Sequence, residues 1–142
     1  MNRVQLIYLH ACVALSALTG GVFAWMKYFL KSEDEFAVAN HPWQPHMLSA
    51  HVVIAPLLVF ALGWTFSNHI WPKFRFGNGR KRLSGVFSML LIVPMTLSAY
   101  LLQISTGETT RYAMEVAHWI TSAAFVVGYV VHLLALQWDK WE

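Results

Sequence analysis

The chain has 142 residues, of which 57% are hydrophobic and only 12% charged, with a net charge of +3. Its length suits one domain spanning residues 1–142, and its composition is too apolar for an ordinary soluble protein, so a membrane is the expected solvent. A single cysteine excludes an internal disulfide and a cysteine-built zinc or iron–sulfur site, and the small positive charge, concentrated in one link, does not imply a nucleic-acid partner.

Four apolar segments, at about residues 4–29, 47–71, 83–105 and 112–137, each approach the ~20 residues that cross a hydrocarbon core as a helix. They lack the alternation of a membrane strand. The expected fold is an all-α, integral membrane four-helix bundle, up-down-up-down, because short links force neighbouring helices to run antiparallel.

The first segment follows Met1-Asn2-Arg3 and runs from Val4 to about Phe29, longer than the roughly 7–15 apolar residues of a secretory leader. It is therefore a membrane helix, carrying His10, with Cys12 read as a small buried residue. The link KSEDEFAVANHPWQPH is acidic and proline-marked and contains His41 and His46. These are candidates for an outer-side site, donating to a quinone carbonyl, a haem propionate or a partner surface.

The second segment carries His51 near its start and His69 near its end, roughly 27 Å apart on one face. Pro56 is expected to kink this helix below His51, and Pro94 to do the same in the third. After it comes KFRFGNGRKR, with Lys73, Arg75, Arg80, Lys81 and Arg82 and no acid. Taken with the two termini, that side holds seven basic residues against two acidic; the other side, with Glu33, Asp34 and Glu35, holds three against five. The basic side, with both termini, is expected in the cytoplasm of a multi-pass protein of the cell's inner (cytoplasmic) membrane. The tryptophans lie mostly near segment ends and are read as interfacial belts.

The third segment has no histidine. The fourth, MEVAHWITSAAFVVGYVVHLLAL, has His118 and His132, about 21 Å apart and within about 40° of one face. An imidazole in hydrocarbon is costly without a partner and marks function. Laid against those two levels, His51 matches the depth of His118, and His10 that of His132. Two facing imidazoles with apolar walls suit a haem, whereas zinc or di-iron sites need further ligands that these segments lack. Two b-type haems are expected, on the pairs His51/His118 and His10/His132, with His69 as the rival of His10. Gly20, Gly21, Gly63 and Gly128 serve either close approach of a macrocycle or helix packing.

In its histidine placement and fourteen-residue spacing, the chain resembles the four-helix di-haem membrane cytochromes b, which include the membrane subunits of formate dehydrogenases and nickel–iron hydrogenases, though it is much shorter than the dehydrogenase subunits and lacks their long amphipathic terminal helix. In FAVANHPWQPHMLSAHVVIAPLLVFALG it is similar to short cytochrome-b-like proteins of unknown function. The resemblance implies axial ligation by His10, His51, His118 and His132. It also implies electron transfer between quinone and an extracytoplasmic partner, such as a cytochrome c or a metalloenzyme subunit, within a larger complex rather than by a stand-alone enzyme. His69 and Lys73 are the candidate quinone or propionate site at the cytoplasmic end. The alternatives are a self-contained oxidoreductase passing electrons from a small donor such as superoxide to quinone, and a haem-free membrane anchor or assembly protein.

Overall fold

The computed structural model describes residues 1–34, 36–76 and 79–138. Glu35 and the side chains of Arg80, Lys81, Arg82 and Trp138, like Trp141, fall outside that description. The described residues are helical, with no strand among them: α1 (Arg3–Phe29), α2 (Gln44–Thr65), a π-helical turn (Phe66–Ile70), α3 (Trp71–Phe76), α4 (Gly79–Ile104) and α5 (Glu108–Trp138). Four long helices are apolar enough to cross a bilayer, as a multi-pass four-helix membrane protein requires. They expose most of their large apolar side chains, among them Val53, Phe60, Leu90, Ile120 and Val127. With lipid as solvent those side chains have no water to escape, and the buried set mixes small and polar residues such as Ala61, Ser16, Thr19, Ser88 and Ser98 with a few larger ones such as Leu58 and Phe125.

The chain forms two compact units, Met1–His69 and Ile70–Glu142, with the boundary inside the π-helical turn. Each is built on a helical hairpin, α1 against α2 in the first and α4 against α5 in the second.

Local chemistry defines the ends. Asn2 caps α1 with a capping box: its Oδ1 accepts from the Gln5 amide at 2.8 Å, and its amide donates to Gln5 Oε1 at 3.1 Å. At the other end Asn40 Nδ2 donates to the Lys27 carbonyl at 2.7 Å, satisfying an orphan of the last turn. The Asn40 amide donates to Gln44 Oε1 at 3.0 Å, and Pro45 sits in the first turn of α2, where its missing N–H costs nothing. The NHPWQPH stretch is thus the joint that stops α1 and starts α2. In the second hairpin the link is residues 105–107 alone, and Arg111 Nη1 reaches back to the carbonyls of Leu102 and Ser105, both at 3.4 Å.

The prolines lie inside helices that continue past them, Pro56 in α2 and Pro94 in α4. A π turn lies further along, at Phe66–Ile70, where the second expected segment passes through it before continuing as α3. There the Trp64 carbonyl is met by Nε2 of the buried Gln5 at 3.4 Å. Tyr8, Phe60 and Trp64 pack with ring centroids 6.0–6.2 Å apart and tie α1 to α2 beside it.

The glycines divide by neighbour. A Cβ at Gly128 would lie 3.0 Å from Ser88 Oγ and 3.1 Å from Phe87 Cδ1, so this glycine is where α5 crosses α4. Gly21 and Gly63 have nothing within 4 Å of that position among the described residues. Asn40→Ala removes the Lys27 carbonyl's partner, worth about 1 kcal/mol. Cleavage within residues 30–43 by limited proteolysis in detergent is expected to accelerate about fivefold.

Candidate functional site

His51 sits in α2 on the backbone of α1. Its ring lies so close to Gly20 that a Cβ there would come within 2.8 Å of His51 Cε1 and 3.1 Å of Nδ1. Nδ1 is 3.1 Å from the Ser16 carbonyl oxygen and 3.2 Å from Thr19 Oγ1. A carbonyl can only accept, so Nδ1 carries the proton and donates it, which makes Nε2 the lone-pair nitrogen of the neutral ring. Thr19 Oγ1 gives its own proton to the Leu15 carbonyl at 2.7 Å, the ordinary back-bond of a hydroxyl inside a membrane helix. Beside this seat the buried Ser16 Oγ has no hydrogen-bond partner.

His118 sits on α4 in the same way. Its Nδ1 is 3.0 Å from the Met95 carbonyl oxygen and 3.4 Å from Ser98 Oγ, while Ser98 donates to that same carbonyl at 3.0 Å. Nδ1 is again the protonated nitrogen. Nε2 accepts a long contact from Ser122 Oγ at 3.5 Å, at the weak limit for such a bond. In each hairpin, then, a histidine of the second helix gives Nδ1–H to a carbonyl of the first, with a hydroxyl three residues further on closing over the same nitrogen.

The remaining candidates are placed differently. His132 is half-buried in α5, with Cε1 3.6 Å from where a Cβ of Gly85 would stand. His10 is half-buried in α1, and His69 is half-buried in the π-helical turn. Lys73 is exposed in α3. His41 lies in the joint before α2 and His46 in the first turn of α2: His41 Nδ1 accepts the Trp43 amide at 3.2 Å, and His46 packs edge-on against Trp43 at 5.9 Å. His10 and His51 lie in the first unit and His118 and His132 in the second. Among the described residues no three His, Cys, Asp or Glu gather into a metal site.

Sequence reasoning found the histidines but not their seats. Leu18-Thr19-Gly20 and Leu97-Ser98-Ala99 repeat a hydroxyl followed by a small residue, yet with one identical residue in three the likeness is far below what marks an internal repeat. Only the fold puts each motif beneath an imidazole.

No known family profile matches the chain, and no solved structure matches it. The chain is similar to a protoheme IX farnesyltransferase of Salinispora tropica, 34% identical over 128 residues that cover 84% of this chain. It spans 39% of the length of that relative. This similarity overturns the expected electron-transfer function: the relative's name is that of an enzyme acting on protoheme IX, not of a di-haem electron-transfer cytochrome. The quinone-linked and haem-free alternatives go with it. The physical reason is that spaced imidazoles and apolar walls suit a haem whether it stays as an electron carrier or arrives as a substrate, so histidine spacing alone does not separate the two.

Gly20→Val is expected to push the His51 ring off α1 and to cost about 1–3 kcal/mol as an overpacked contact. Thermal unfolding in detergent checks this, with Gly21→Val as the neutral neighbour.

Proposed function

We propose that the chain is a membrane-embedded haem-handling protein, which takes protoheme IX as substrate or cargo on an Nδ1-anchored histidine and holds it for modification or transfer. The observation that carries this reading is the shared anchoring of His51 and His118 to the carbonyls of Ser16 and Met95. A metal-binding imidazole ordinarily gives its other N–H to a carbonyl or carboxylate, which sets the tautomer, aims the ring and raises the basicity of the ligating nitrogen. The neutral ring then offers Nε2 to iron. The Gly20 surface supports the same reading, since close contact with α1 holds the imidazole in place.

Bound protoheme would bring an iron that accepts imidazole nitrogen and a flat apolar macrocycle that bears two carboxylates. This chain's part is to bind and orient it. His51 in the first hairpin and His118 in the second are each a proposed iron ligand. Lys73, exposed in α3, is the proposed partner of a haem propionate, and His69 in the π-helical turn is a further candidate for that role. We place the protein in the cytoplasmic membrane, with the basic link inside, on the charge asymmetry of its links. The likeness to the protoheme IX farnesyltransferase supports haem as the molecule handled.

Titrating the detergent-purified chain with haemin and following the Soret band tests this. Saturable binding is expected, weakened at least tenfold in His51→Ala and in His118→Ala, with the bound haem passing to added apomyoglobin within minutes. Absence of saturable binding defeats the proposal, and retention against apomyoglobin for hours defeats its cargo role.

A further inference from the structure

We infer that Thr19 and Ser98 are positioning residues that lock His51 and His118 in the Nδ1–H tautomer, so that each hairpin carries the same device for presenting Nε2 to a ligand. The inference rests on the haem-handling reading for its purpose, but its geometry stands without it.

Each hydroxyl has one proton, and the geometry commits it elsewhere. Thr19 Oγ1 gives its proton to the Leu15 carbonyl at 2.7 Å, and Ser98 Oγ gives its own to the Met95 carbonyl at 3.0 Å. Both oxygens therefore face the imidazole as acceptors. His51 Nδ1 meets two such oxygens, at 3.1 and 3.2 Å, and His118 Nδ1 meets two, at 3.0 and 3.4 Å. In the opposite tautomer the Nδ1 lone pair would confront two oxygens with no proton between them. In a half-buried, apolar setting that arrangement is strongly disfavoured. A carbonyl alone leaves the ring free to swing about a single bond, whereas the hydroxyl adds a second contact three residues along the same helix and fixes the plane.

Burial fits this role. Thr19 is 9% exposed and Ser98 3% exposed, so neither hydroxyl competes for solvent. The two hairpins reach the arrangement with different residues, Ser16-Ala17-Leu18-Thr19 in α1 and Met95-Thr96-Leu97-Ser98 in α4. What they share is the offset between carbonyl and hydroxyl.

The test uses the full chain in detergent, first without haem. Nitrogen-15 spectra of the histidine rings should show His51 and His118 as the Nδ1–H tautomer, with the other tautomer growing in for His51 in Thr19→Val and for His118 in Ser98→Ala. Haemin titration of the same variants should show binding about tenfold weaker, restored in Thr19→Ser and Ser98→Thr. Mixed tautomers in the wild-type chain overturn the inference, as do Thr19→Val and Ser98→Ala variants that bind haemin with wild-type affinity. Loss of binding that Thr19→Ser and Ser98→Thr fail to restore assigns the hydroxyls to packing and also overturns it. If the wild-type chain binds no haemin, the haem-handling reading falls, while the tautomer spectra still decide the positioning role.

Discussion

An imidazole placed in hydrocarbon must give its N–H to the protein, because no water is there to take it. Most of what distinguishes this chain follows from how that constraint is met. A helix offers few acceptors to a neighbour, since its carbonyls are already engaged along the axis, and a side chain reaches one only where the neighbouring surface is cut low. In the first hairpin the cut is Gly20, under the His51 ring. In both hairpins the accepting carbonyl lies three residues before a hydroxyl that closes the same nitrogen. The polar need of one side chain thus sets the register of two helices.

The two hairpins solve the same problem under different local rules. The first is joined by a long link that needs Asn40 and Gln44 to finish one helix and begin the next. The second turns within three residues, with Arg111 folded back over the end of α4. Small and polar groups take part in their helix contacts, as at Gly128 against Ser88, beside the ring packing of Tyr8, Phe60 and Trp64. This is the expected inversion for a protein whose solvent is apolar: large side chains gain nothing by leaving lipid, while close backbone approach and internal hydrogen bonds still favour association. Cys12, buried in α1, takes its place among these small residues.

A likeness to a protoheme IX farnesyltransferase changes the meaning of the histidines without moving them. An electron carrier and a protein that receives haem share imidazole ligands, apolar walls and a route along the bilayer. They differ in how firmly the macrocycle is kept, which depends on enclosure and exchange rate rather than on ligand identity. The carbonyl-anchored ring suits both, and so residue type and spacing do not separate them.

What the sequence determined by itself is the solvent and the elements. Long runs of apolar residues commit the chain to helices, because in a bilayer each backbone group must be paired within its own segment, and that rule needs no tertiary information. The helices were legible for this reason, and so were the histidines as the costly groups within them. Tertiary structure decided the rest: which glycine seats a ring and which packs a helix, that His41 accepts the Trp43 amide before α2, that the second apolar segment passes through a π turn, and that Thr19 and Ser98 stand over imidazoles. These depend on the rotation and offset of one helix against another. A shift of one residue along an α-helix turns a side chain by 100°, so no pattern within a single segment can specify which atom it meets on the next.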